Sequence, residues 1–320
     1  MQRWVNRLGL AGMLAMVAAS GLAAQEPGPG GRHEAAAGTA SEREVDIMEH
    51  LANSHEIEVP YWRVPYFYAV ELPQIPPLRL GSLTLDFSPT KHLVFLLLAA
   101  GLVSAVFLLS ARSVARAQAR GRPATGFAGA MEAMALYIRQ EVVLPNVGPH
   151  GEGFAPYLLT TFFFILACNL LGLVPWGASA TGNIAVTAGL AALAFLVIEI
   201  SGMRALGWKG YLGTIFFLPE GLPTILKPII LAVMTPIELI GKLAKPFALA
   251  VRLFANMTAG HALVLALIGL IFTFQSYAVG FAAAPMATAI MVLELFVAFL
   301  QAFVFTLLTS VFIGLMRAEH

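Results

Sequence analysis

The chain has 320 residues, of which 58% are hydrophobic and only 12% charged, with a mean hydropathy of +0.79. A soluble domain is close to half apolar and a quarter charged, so this chain lacks the polar surface a soluble fold needs. Its net charge of +1 argues against a nucleic-acid partner, and its single cysteine, Cys168, excludes an intramolecular disulfide and a cysteine metal cluster.

What remains is a polytopic membrane protein, and its few charges are unevenly placed. Residues 1–24 carry Arg3 and Arg7 and no acid, residues 25–90 carry a net −6, and residues 91–320 carry a net +5. Such a split suggests separate compartments. Residues 1–24 read as a secretory signal peptide: two arginines, the apolar run Leu8–Ala19, then small residues at 20–24. Residues 25–90 are then an acidic extracytoplasmic region. Within it, residues 41–58 predict a short helix, and residues 59–87 short strands or an irregular cap. His50 and His55 share no helical face and are expected to be solvated.

Residues 91–320 form an all-α membrane domain. Ser88-Pro89 predicts an N-cap and first helical position, followed by a span over His92–Ala111. Arg112, Arg116, Arg120 and Arg122 follow with no acid among them, so this span runs from outside to cytoplasm. Residues 126–144 predict an in-plane amphipathic helix with Phe127, Met131, Met134, Ile138 and Val142 on one face. A second span covers Phe154–Val174 and a third Ile184–Ile200. Residues 211–235, broken by Pro219, Pro223 and Pro228, read as interfacial or re-entrant.

Two long helices close the chain. Pro236–Phe274 is 39 residues, too long to stand upright in a bilayer. Residues 275–285 form an uncharged outer turn containing Gly280 and Pro285, and Met286–Met316 returns to the cytoplasm. The total is five spans with no inverted repeat, which disfavours a secondary transporter.

Between Pro246 and Phe274 the one permanent charge is Arg252; between Met286 and Met316 it is Glu294. A charge at mid-bilayer costs ~2.5–3.5 kcal/mol on insertion scales, so each is a functional candidate. Asn256 follows Arg252 on the same face, whereas His261 points about 180° away. Glu294 and Gln301 share a face of the return helix. Folded as a hairpin about residue 277, Arg252 falls level with Gln301, and His261 with Glu294. Arg252 cannot give up its proton; it can attract a carboxylate and bar direct proton passage. No acid of this chain is available at its depth on its face, so that carboxylate is expected from another subunit. His261 and Glu294 can relay protons, and the amides of Asn256 and Gln301 can orient the charged groups.

These residues lie in recognisable motifs. The run Lys245-Pro246-Phe247-Ala248-Leu249-Ala250-Val251-Arg252-Leu253-Phe254-Ala255-Asn256-Met257-Thr258-Ala259-Gly260-His261 resembles the signature of subunit a of the F-type ATP synthase. Leu300-Gln301-Ala302-Phe303-Val304-Phe305 and Asn169-Leu170-Leu171-Gly172-Leu173-Val174-Pro175 are similar to two further motifs of that family. The resemblance covers roughly residues 88–317. It implies a stator subunit forming two proton half-channels in the bacterial inner membrane. Its partners would be the c-subunit ring, b subunits, the rest of the synthase and membrane lipids. It also implies an extracytoplasmic mature N-terminus and a cytoplasmic C-terminus. Arg252 would face the ring carboxylate, with Asn256 and Gln301 as polar partners. His261 and Glu294 would form the outer half-channel pair, exchanged relative to many bacterial members. Glu238 matches an acid on the cytoplasmic side of the family helix, a candidate for the inner half-channel. Some members carry an acid where this chain has Gly172. Asn169 is read either as channel lining or as a hydrogen-bonding partner of a neighbouring helix. Glu199 is read either as lining the inner exit or, more simply, as pairing with Arg204. No nucleotide-binding loop is present, so no catalytic site of its own is expected, nor any cofactor or metal. The competing reading is an autonomous ion channel or carrier.

Overall fold

The computed structural model describes residues 56–60, 67–74, 78–80, 83–85, 88–148, 151–174, 177–216, 223 and 227–318. The expected signal peptide, His50, His55 and residues 41–55 of the expected short helix lie outside them. Two antiparallel pairs lead the described chain: β1 (Glu56–Pro60) with β2 (Phe67–Glu71), and β3 (Leu78–Leu80) with β4 (Leu83–Leu85). The strands expected within residues 59–87 are present, but β1 begins inside the segment expected to be helical. Glu56-Ile57-Glu58-Val59 alternates polar and apolar residues, and that period of two suits a strand.

The rest is helical. Helix α1 (Lys91–Ala119) starts after Thr90, not after Ser88, and carries its helical hydrogen bonds past Arg112 and Arg116. Helix α2 (Gly126–Tyr137) runs into a π-helical turn, Ile138–Val143, and a last α-turn, Leu144–Val147. Ile138, Val142 and Val143 are buried, Met131 and Met134 pack on the core, and Phe127 is 65% exposed. Helix α3 (Ala155–Leu173) matches the second span. Helix α4 (Ile184–Ile215) outlasts the third, with a break at Gly207, whose φ of 73° and ψ of 172° suit glycine alone.

Helices α5 (Lys227–Phe274) and α6 (Tyr277–Ala318) hold 48 and 42 residues, roughly 72 and 63 Å at 1.5 Å per residue. Both overrun the expected boundaries. Pro228 is the second residue of α5, where a missing N–H costs nothing. Pro236, Pro246 and Pro285 lie inside helices. A proline breaks a helix when its freed carbonyl has no partner, but a packed membrane helix tolerates it. The outer turn therefore shrinks to Gln275-Ser276, with Gln275 in the left-handed region at φ 44°, and Gly280 is helical. Among the described residues five helices, α1 and α3 to α6, are long and apolar enough to cross a membrane.

Helix α6 is the shared support, packing against α3, α4, α5 and the Leu144–Val147 turn. Phe162, Leu158 and Ile165 of α3, Leu190 of α4, Leu253 of α5 and Phe305 and Ile313 of α6 make one apolar core. Close approach at its margin depends on small residues. A Cβ on Gly314 would strike the backbone carbonyl of Asn146, and Gly202 lies against Met316. Alanine in place of a helical glycine ordinarily gains about 1 kcal/mol. At Gly314 the obstruction is backbone that cannot rotate aside, and overpacking costs ~1–3 kcal/mol. Gly314→Ala is therefore expected to lower the thermal midpoint in detergent. Gly101→Ala, in open space, is expected to leave or raise it.

Candidate functional site

The hairpin of α5 and α6 holds the five principal candidates. Arg252 and Asn256 are exposed, one helical turn apart, while Leu249, Leu253 and Met257 seat the same helix on the core. Around Arg252 the exposed residues are small, Ala248, Ala255 and Ala259, with Val251 beside them. His261 is half-buried. On α6, Glu294 and Gln301 are buried at 9% and 6% exposure, on a face with Ala298 and Phe305.

One contact fixes the register. The Glu294 carboxylate lies directly against Gly260, in the space a Cβ would fill. Glu294 is thereby brought to the turn of α5 that carries His261, as the hairpin arithmetic expects. From that contact Arg252 lies eight residues back and Gln301 seven residues on. At 1.5 Å per residue they are level to within about 2 Å. The turn has moved from residue 277 to Gln275-Ser276, yet both matched levels survive, because the shift is less than one helical turn.

Asn169, fully buried on α3, ties the hairpin to the core. Its amide nitrogen donates to the Ala298 carbonyl at 3.1 Å, and its oxygen accepts from Thr181 Oγ1 at 2.6 Å. Thr181 is also 2.7 Å from Ser179 Oγ. Of the two readings of Asn169, the bond to a neighbouring helix is therefore the one formed. Gly172, one turn on, lies against Ser179 with no room for a Cβ, so an acid at this position would displace the loop.

A second polar group joins α4 to α5. Glu199 meets two partners that the sequence reading did not name. It is 3.6 Å from Lys242 Nζ and accepts a hydrogen bond from the Tyr211 hydroxyl. The chain past Gly207 runs back over α5, so Tyr211 and Thr214 reach Lys242. Lys242 also donates to Thr214 Oγ1 at 3.1 Å and sits 4.6 Å from the centre of the Tyr211 ring. Glu238, one turn before Lys242, is half-buried. The sequence reading missed Lys242, Tyr211, Thr181 and Gly260 as site-forming residues. In the sequence the neighbours of Lys242, Ile240 and Leu243, are apolar.

Against this geometry the comparisons are specific. The family model described as ATP synthase A chain matches residues 93–314. The chain belongs to the ATP synthase A chain family. The matched stretch holds every candidate residue. Among relatives, a protein of Chlorobium luteolum named ATP synthase subunit a 2 is 43% identical over 311 residues. That alignment takes in 96% of this chain and 85% of the relative. An ATP synthase subunit a of Pelodictyon phaeoclathratiforme is 44% identical, covering 87% of this chain and 78% of the relative. One from Anaeromyxobacter dehalogenans is 43% identical over 76% of this chain and 61% of the relative. The first alignment takes in most of the acidic N-terminal region as well as the membrane helices.

The Gly260 contact carries a test. Alanine there meets the end of a flexible side chain, so the carboxylate swings aside and the fold persists. Gly260→Ala is expected to assemble normally while proton conduction falls about tenfold. The measurement is proton uptake by membrane vesicles at matched subunit content.

Proposed function

We propose that this chain is the proton-translocating stator subunit of the Fo sector of an F-type ATP synthase, working against a rotating ring of c subunits. The observation that carries the proposal is Arg252, a permanent cation on an exposed helix face lined with alanines. A charge on such a face needs a counter-ion once lipid surrounds it, and small residues let a neighbouring helix come close. A carboxylate on a passing ring helix meets both needs.

The chemistry then divides by depth. Protons enter from the outer side at His261 and Glu294, whose side chains titrate and occupy one turn of the hairpin. They pass to the ring carboxylate, which loses its charge and can turn into lipid. After almost a full revolution the carboxylate releases its proton on the inner side, where Glu238 is the candidate acceptor. Arg252 keeps the two paths apart, because a proton approaching a fixed guanidinium meets its charge and finds no base. Gln301, level with Arg252, and Asn256, one turn beyond it, hydrogen-bond the arginine and the visiting carboxylate. Glu199 is engaged by Lys242 and Tyr211, so it contributes to the inner side as an anchor and carries no protons.

The orientation follows from Arg112, Arg116, Arg120 and Arg122 beyond α1, which belong in the cytoplasm. The mature N-terminus is then extracytoplasmic, after removal of residues 1–24, and the C-terminus cytoplasmic, in the inner membrane of a bacterium. Residues 25–90 form an outer acidic region and residues 91–320 the membrane domain. ATP chemistry resides on other subunits; b subunits hold this one still.

Three measurements test this reading. Arg252→Ala is expected to abolish ATP synthesis while the variant still co-purifies with the c ring; surviving synthesis would sink the mechanism. His261→Glu and Glu294→His are each expected to lose at least about tenfold in ATP-driven proton pumping. The double exchange is expected to recover most of it, because one relay of the same two groups is rebuilt at the same level. In liposomes, the purified chain without a c ring should pass no protons; conduction there would mark an autonomous channel.

A further inference from the structure

The inner half of α5 lacks an apolar seat. From Lys227 to Ala248, every residue but one is exposed or half-exposed; the exception is Lys242, at 5%. Apolar burial resumes only at Leu249, so a lysine is the buried anchor of this stretch. Its partners come from both sides of the Gly207 break in α4. Glu199 precedes the break, at 3.6 Å; Thr214 follows it, at 3.1 Å, with the Tyr211 ring beneath the ammonium. Tyr211 also donates to the carboxylate oxygen nearest the lysine. Each polar group thus has a partner, as a buried pair requires.

We infer that Lys242 is a positioning residue, whose buried ion pair with Glu199 fixes the rotation of α5 about its axis and so the direction in which Arg252 points. The inference rests on the role given to Arg252 above. Lys242 precedes Arg252 by ten residues, about 15 Å along the axis and roughly 80° short of three full turns. With Lys242 held on α4, a rigid helix turns Arg252 away from the core. An apolar contact would hold the helix as strongly but not in one orientation, since it is non-directional. A lysine bonded to a carboxylate, a hydroxyl and a ring face admits few rotations. The break at Gly207 has a purpose in this scheme: it folds the end of α4 back, so that Tyr211 and Thr214 close the pocket.

The test uses the complete ATP synthase in inverted membrane vesicles, reading protons pumped per ATP hydrolysed. Lys242→Met and Glu199→Gln are each expected to assemble and hydrolyse ATP while that ratio falls about tenfold, as expected of a reacting group displaced by about 1 Å. Lys242→Arg should keep the ratio within about twofold, and the exchange Glu199→Lys with Lys242→Glu should recover most of it. A normal ratio in Lys242→Met overturns the inference, as does an exchange variant no better than the single ones. If the charge variants fail to assemble, Tyr211→Phe keeps the ring and removes only the hydroxyl. It should assemble with a ratio lowered about threefold, and an unchanged ratio overturns the inference. Arg252→Ala, measured in parallel, separates the two readings. If it pumps, the role of Arg252 falls. If it is inactive while Lys242→Met is normal, only the positioning role falls.

Discussion

The carboxylate of Glu294 rests on Gly260, and the register of the α5–α6 hairpin follows from that contact. Glycine leaves that space open, and any other residue would put a carbon where the carboxylate lies and push it aside. With the register set, Gln301 comes level with Arg252, and α5 keeps Leu253 and Met257 buried. Because α6 also supports α3, α4 and the Leu144–Val147 turn, the same register decides where the core meets the polar residues.

Few polar contacts hold this arrangement, and they sit where apolar packing cannot discriminate. Between helices in lipid, burial of apolar surface gives little preference for one register over another. Asn169 supplies one preference by bonding the Ala298 carbonyl and Thr181. Lys242 supplies another by bonding Glu199 and Thr214. Small residues set the remaining distances: Gly314 admits the Asn146 carbonyl, and Gly172 admits Ser179. Each device acts over a few ångströms, yet each governs a helix of 19 to 48 residues.

Much of the fold was legible in the chain because lipid demands long apolar runs. The spans α1, α3 and α4 stand where hydropathy puts them, as does the hairpin. Their ends were less legible. Pro236 and Pro285 read as helix boundaries by the habits of soluble proteins, but both lie inside helices whose neighbours stabilise them.

The sequence by itself determined which charges enter the apolar helices, because the cost of burying Arg252 or Glu294 depends on residue type and span length alone. It also determined their approximate depths, since spacing along two antiparallel helices converts directly to height. The tertiary structure decided which groups are paired. Glu199 and Thr214 both reach Lys242 because Gly207 breaks α4 and turns its end over α5. Asn169 closes on Ala298 because α3 crosses α6 there. Distances between helices depend on how they cross, and nothing in the spacing along one chain segment specifies that.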